Sequence, residues 1–226
     1  MKLSHFTRRA RSAASAALLL GLASLAGAAS EAQFTKGPCP FVADSVVAKA
    51  FALPAGAALE HTNVKLGGVS CSFNWEGGRQ RLVAKVRMQE EKTLKRASER
   101  FERSTRSMSA EDMARAAELL RQRMEKSGQS SSTQAAGKAL VGAATREPIV
   151  FEDVGGVGEQ ARYDAAHEGT LVVRQGKHIY RISAYYGAGT PEPGNLARHK
   201  QWLQDTSAER KQQAIGLARA ILQAGH

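Results

Sequence analysis

The chain has 226 residues, with 32 Lys and Arg against 21 Asp and Glu, and a formal net charge of +11 at pH 7. Its hydrophobic content of 42% is ordinary for a globular protein and excludes wholesale disorder. The basic excess favours anionic partners over cationic ones.

Residues 1–28 follow the three-part pattern of an export signal. A basic head that includes Arg8 and Arg9 precedes a small apolar run over residues 13–25, and Ala26-Gly27-Ala28 supplies a cleavage site. The apolar run is shorter than the roughly 20 residues needed to span a bilayer, and no other segment comes closer. The sequence therefore predicts a periplasmic or secreted protein with no transmembrane segment in the mature chain.

The two cysteines, Cys39 and Cys71, are predicted to form a disulfide. In an oxidising compartment a pair of cysteines usually bonds. A reactive cysteine would need a basic or cationic setting, whereas Cys71 alternates with Val69, Phe73 and Trp75. A structural role is the better interpretation.

The first third of the mature chain combines one helix with three strands. Apolar spacing predicts a helix over residues 41–51, ended by Leu53-Pro54. Alternation of apolar and polar residues predicts strands at 58–66, 69–75 and 81–88, with a hairpin link at residues 76–79.

The middle of the chain is predicted to be helical. Residues 90–127 show apolar residues at helical spacing with a break near 107–109, where Ser109 and the acids after it suit a helix cap. Residues 128–147, rich in Gly, Ser and Ala, are predicted to form a flexible linker.

The last third returns to strands and then helices. Residues 148–154 are predicted to be extended, and strands are predicted at 160–164, 170–174 and 177–186. A short helix over 196–203 precedes a capping box, Thr206-Ser207-Ala208-Glu209, that opens a final helix ended by Gly225. Strand runs with hairpin-sized links and flanking helices predict an α+β domain with an antiparallel sheet.

Two stretches carry a family resemblance. GPCPFVADSVVAKAF followed by VSCSFNW, and VGGVGEQARYD with GTLVVRQGKHIYRISA, resemble small secreted bacterial proteins and lipoproteins of unknown function. The domains of those proteins are similar to the PsbP/Mog1-like α/β sandwich. The resemblance implies that fold and the same cysteine pairing, and no active site. Residues 90–127 depart from it and are predicted to be a helical insertion in a single domain, 29–226.

One surface feature suggests binding. Basic residues at helical spacing share a face of the insertion, and the outward face of the preceding strand is basic too: Lys92, Arg96, Arg100, Arg103 and Arg87. This pattern indicates either contact with an anionic partner or a solvated face that is paired internally through Glu99 and Glu102.

The leading hypothesis is an exported, non-catalytic binding module of the cell envelope. Its partner would be an envelope protein or an anionic lipid or glycan surface, while export argues against nucleic acid. The first alternative is an enzyme whose site is assembled from distant residues, namely His178, Tyr180, Tyr185 and Glu159. The second is an accessory or sensor subunit of an envelope complex.

No motif for a cofactor or a metal is recognised. The histidines lack ligand spacing. Gly155-Gly156-Val157-Gly158 lacks both the P-loop ending and the third Rossmann glycine, so a turn that places Val157 in the core is predicted.

Overall fold

The computed structural model describes residues 33–35, 37–65, 67–126, 148–164, 169–189 and 196–225. The predicted export signal at 1–28 and the predicted linker at 128–147 lie outside these residues. Five helices occur in the described part of the chain: α1 (Asp44–Ala50), α2 (Leu94–Ser104), α3 (Ala110–Lys126), α4 (Leu196–Asp205) and α5 (Ser207–Gln223).

In the part of the chain that the structure describes, eight strands form one antiparallel sheet, in the order β1-β2-β3-β4-β8-β7-β6-β5. Two four-stranded meanders, β1–β4 and β5–β8, join where β4 pairs with β8. The strands are β1 (Gln33–Thr35), β2 (Glu60–Lys65), β3 (Val69–Gly77), β4 (Gln80–Glu90), β5 (Phe151–Asp153), β6 (Gln160–Asp164), β7 (Thr170–Gln175) and β8 (His178–Ala188). The predicted α+β class with an antiparallel sheet is confirmed.

The longest strands, β4 and β8, pair over their whole length at the centre of the sheet. Because side chains alternate along a strand, each strand presents one apolar row and one polar row. Leu82, Ala84 and Val86 of β4 are buried on what we call the core face, whereas Lys85 and Arg87 lie on the opposite face.

The core face is covered by α1 and α5. Phe73, Leu82 and Ile182 of the sheet belong to one buried cluster with Val47 of α1 and Leu217 of α5. Val157 is also buried in this cluster and the chain then enters β6 rather than a helix. The predicted turn at residues 155–158 is therefore confirmed.

The opposite face is covered in part by α2. Phe101 of α2 packs against Val172 of β7 and Ile179 of β8 in a second, smaller cluster. Farther along the same face, Lys85 of β4 is exposed. This incomplete cover leaves basic side chains of the sheet beside the basic side chains of α2.

The predicted cysteine pairing is confirmed. The sulfurs of Cys39 and Cys71 lie at bonding distance, 2.08 Å, and tie the segment before α1 to β3 on the core face. The Asn63 amide of β2 holds the same segment by donating to the carbonyls of Gly37 and Pro38 at 2.8 and 3.2 Å.

Two helix caps were predicted from the sequence, and the structure confirms one and corrects the other. The cap at Ser109 is present, since its hydroxyl accepts from the Asp112 amide at 3.1 Å and donates to the Asp112 carboxylate at 2.9 Å. The capping box at Thr206 is wrong. Its hydroxyl donates back to the Trp202 carbonyl of α4 at 2.7 Å and accepts from the Arg210 guanidinium at 3.1 Å, and it forms no capping hydrogen bond with the first turn of α5.

Candidate functional site

The candidate site is built on the central strand pair. The register places Arg87 of β4 directly opposite Arg181 of β8, and both side chains lie on the face opposite the core. Arg181 is half-buried there, and the Arg87 guanidinium reaches the Gly67 carbonyl in the β2–β3 turn at 3.4 Å. Two like charges therefore lie side by side at the middle of the sheet.

A third arginine comes from α2. Thr93 caps this helix by accepting from the Arg96 amide at 3.2 Å, and Ala97 and Phe101 bury its apolar side. Since Phe101 is fixed on β7 and β8, its neighbour Arg100 is held near Arg181. We call Arg87, Arg100 and Arg181 the arginine cluster.

The electrostatics of Arg181 are unfavourable. Burial lowers the pKa of Arg181, the positive charges of Arg87 and Arg100 lower it further, and Asp164 opposes them without cancelling them. Because arginine keeps its proton in proteins, this shift reflects a cation in an unfavourable setting rather than a neutral side chain. In the described part of the chain the Arg181 guanidinium forms no ion pair and no hydrogen bond.

Arginines elsewhere on the same face are compensated. Arg162 of β6 pairs with Glu102 at 2.8 Å and with Asp153 at 3.0 Å, and its guanidinium lies 5.3 Å from the Phe101 ring centre. The hydrogen bond to Asp153, followed by that to Glu102, raises the pKa of Arg162. Arg162 is thus neutralised by two carboxylates, whereas Arg181 forms no ion pair with a described residue.

The predicted binding residues do not all lie together. Arg96 is exposed on the same stripe of α2 as Arg100, which pairs with Glu91 at 3.1 Å. Lys92 precedes the Thr93 cap, so its prediction as part of the helical face is wrong. Arg103 is exposed near the end of α2 and lines an open cleft of about 600 Å³.

The predicted internal pairing of this face needs correction too. Glu99 does lie 4.0 Å from Lys95 one turn away. Glu102, however, bonds to Arg162 of the sheet, because the apolar contacts of α2 turn that side of the helix toward β6. Arg96 and Arg103 have no ion pair with any residue that the structure describes.

Sequence reasoning missed Arg181. Its position within the alternating run of 177–186 already placed it on the polar side of a strand. What the sequence did not supply was the β4–β8 register, which brings Arg181 opposite Arg87 across 94 positions of chain.

The residues of the enzyme hypothesis do not converge on one site. Tyr180 and Tyr185 of β8 are five residues apart and so point to opposite faces. Glu159 is bound to Arg174 and to the amide of Gly176.

A histidine–carboxylate pair occurs elsewhere, between β2 and α1. His61 Nε2 lies 3.0 Å from Asp44 Oδ2. The second ring nitrogen, Nδ1, is buried and has no hydrogen-bond partner among the described residues. A nucleophile activated by this imidazole would have to contact that nitrogen. Over the same residues, no three His, Cys, Asp or Glu side chains cluster as a metal site would require.

The comparisons with known proteins bring no relative. No protein-family model matches the chain, and no significant match is found among curated proteins or solved structures. The resemblance to secreted proteins with a PsbP/Mog1-like sandwich stays a prediction. Among the described helices, none has the length and apolar character needed to cross a membrane.

Proposed function

We propose that this protein is an exported, non-catalytic binding module of the cell envelope, and that it binds an anionic partner through the arginine cluster. The observation that supports the proposal is the position of Arg181. It lies beside Arg87 and Arg100, and no carboxylate among the described residues pairs with it.

Like charges that face each other across two strands destabilise a sheet by a few tenths of a kcal/mol to about 1 kcal/mol. A partner that brings phosphate, sulfate or carboxylate groups would remove this repulsion, and arginine binds such groups with two parallel hydrogen bonds. Binding would then supply Arg181 with the negative charge that no ion pair within the described residues provides.

The shape of the basic surface favours an extended partner. The stripe continues from Arg100 to Arg96 and Arg103, all on α2 beside the sheet, so several anionic groups could be contacted at once. Lipid headgroups and acidic glycans both repeat their charges in this way, and each basic side chain near an anionic lipid surface contributes about 1 kcal/mol.

Export is part of the proposal and has two supports. The first is the signal pattern at residues 1–28. The second is the Cys39–Cys71 pair, since disulfides persist mainly in oxidising compartments.

Charge reversal tests the proposal. The triple variant Arg96→Glu, Arg100→Glu, Arg103→Glu should lose retention on isolated envelope fractions and on vesicles that contain anionic lipid. A control with the same change in net charge is Arg115→Glu, Arg121→Glu, Arg123→Glu on α3, which should be retained. Equal loss in both variants would mean that net charge alone governs retention, and retention of the first variant would refute the proposed surface.

A further inference from the structure

A small cavity of about 140 Å³ lies between the central strands and α4. It is separate from the arginine cluster and nearer the other end of the β4–β8 pair. Most of its lining is apolar or aromatic: Val83, Ala184, Tyr185, Trp202 and Leu203. A cavity of this volume accommodates a body about the size of one six-membered ring.

Each polar side chain that lines the cavity can donate a hydrogen bond. Lys85, Ser183, His199 and Arg210 complete the lining, and no aspartate or glutamate is part of it. Lys85 has no ion pair with any described residue. The indole Nε1 of Trp202 is buried and lacks a hydrogen-bond partner among the described groups, although a buried donor normally has one.

The aromatic wall is held in place from several sides. Trp202 meets Tyr185 edge to face, with ring centres 4.8 Å apart, and stacks on His199 at 5.7 Å. The guanidinium of Arg210 lies 5.5 Å from the Trp202 ring and is itself fixed by the Leu203 carbonyl at 2.7 Å and by Thr206. Trp202 is thus held by three side chains, and its indole N–H is the polar group of the ring that is left without a partner among the described groups.

We propose that this cavity binds a small organic anion whose apolar body is a single ring or a short branched chain and whose acid group is a carboxylate. The body would contact Val83, Tyr185 and Leu203. The carboxylate would accept hydrogen bonds from Lys85 and from the free indole N–H of Trp202. This inference goes beyond the proposed function and does not depend on it, because none of the residues of the arginine cluster lines the cavity.

Intrinsic fluorescence provides the test, because the chain has only two tryptophans, Trp75 and Trp202. In the variant Trp75→Phe, titration with benzoate should change the Trp202 emission saturably, with a Kd on the order of 1 mM for so small a ligand. Benzyl alcohol, which has a similar body without the charge, should bind at least about tenfold more weakly. If Trp75→Phe does not fold, the NMR shift of the Trp202 indole N–H in the unsubstituted protein gives the same readout.

A charge-matched pair of variants identifies the site. Lys85→Met should weaken benzoate binding roughly tenfold or more, and Lys49→Met on α1, which also removes one exposed lysine, should leave it unchanged. No saturable signal, equal binding of benzyl alcohol, or equal binding by Lys85→Met would overturn the inference. A loss of benzoate binding in Arg181→Gln but not in Lys85→Met would also overturn the inference, because benzoate would then occupy the arginine cluster.

Discussion

Arg87 and Arg181 lie directly opposite each other on adjacent central strands, and both point to the face away from the main core. Arg100 of α2 adds a third positive charge. Charged side chains on neighbouring strands are stabilising when their signs differ and destabilising when they match. We therefore expect the pair to lower the stability of the free protein, and a bound anion would offset this effect.

Removing the charge of Arg181 should make the free protein more stable. We expect Arg181→Gln to raise the free energy of unfolding by about 0.5 kcal/mol, since a repulsion between opposed side chains is relieved. Arg162→Gln is the matched control and should lower it by about 1–2 kcal/mol, because Glu102, Asp153 and Thr105 lose their partner. Urea denaturation measures both, and a destabilised Arg181→Gln variant would contradict this interpretation of the cluster.

The sequence predicted where the strands of the sheet lie better than it predicted which strands are adjacent in the sheet. Alternation in 81–88 and 177–186 identified the two central strands, and in 81–88 it also identified the side that carries basic residues. Alternation does not say which strands pair, because pairing depends on contacts between distant parts of the chain. The arginine cluster arises from that pairing, so Arg181 was missed while Arg87 and Arg100 were found.

The predictions of how α2 and α5 begin were wrong for a related reason. Lys92 fits the spacing of the basic stripe, yet the helix starts only after Thr93, whose hydroxyl accepts from the Arg96 amide. Thr206 has the sequence of a capping box, yet α4 runs up to it and offers the Trp202 carbonyl instead. In both cases a local hydrogen bond decided what periodicity left open.

Reducing the disulfide should cost substantial stability. The bond between Cys39 and Cys71 closes a loop with a sequence separation of 32, for which the chain-entropy model gives about 3–4 kcal/mol. We expect reductant to lower the free energy of unfolding of the wild-type protein by that amount, which a lower urea midpoint would report. The variant Cys39→Ala, Cys71→Ala should be insensitive to reductant. A midpoint of the wild type that does not move would show that the bond contributes little.

The attachment of α2 should be needed for binding as well as for stability. Phe101 is 1% exposed and joins α2 to Val172 and Ile179, so Phe101→Ala should destabilise the protein by about 3 kcal/mol. It should also weaken anion binding although no charge is removed, since Arg100 loses its position. The control Leu119→Ala, at a residue of α3 that is 58% exposed, should change the stability by less than about 0.5 kcal/mol. If folded Phe101→Ala protein bound the anion as tightly as the wild type, the attachment of α2 would not be needed for binding.

Alkaline pH should destabilise the protein through two buried tyrosines. Burial raises the pKa of both Tyr163 and Tyr180 above the usual value of 10.0. A raised pKa in the folded state gives stability that is complete below pH 10 and is lost as the pH rises through the folded-state pKa values. Phenolate absorbance should therefore show delayed ionisation, and Tyr180→Phe should reduce the loss of stability above pH 10. Ionisation of all tyrosines at the usual pH in folded protein would contradict the prediction.

The central claim is that Arg181, which forms no ion pair with a described residue, binds an anionic partner together with its neighbours, and the affinity of two single variants tests it most directly. The experiment is calorimetric titration of the wild type, Arg181→Gln and Arg162→Gln with vesicles of anionic lipid and with an acidic glycan. Each variant removes one positive charge, at a different place on the same face. We predict roughly tenfold weaker binding for Arg181→Gln and little change for Arg162→Gln, because only the first removes a guanidinium free to bond to the ligand. Equal affinities for the two variants, or no binding of either ligand by the wild type, would contradict it.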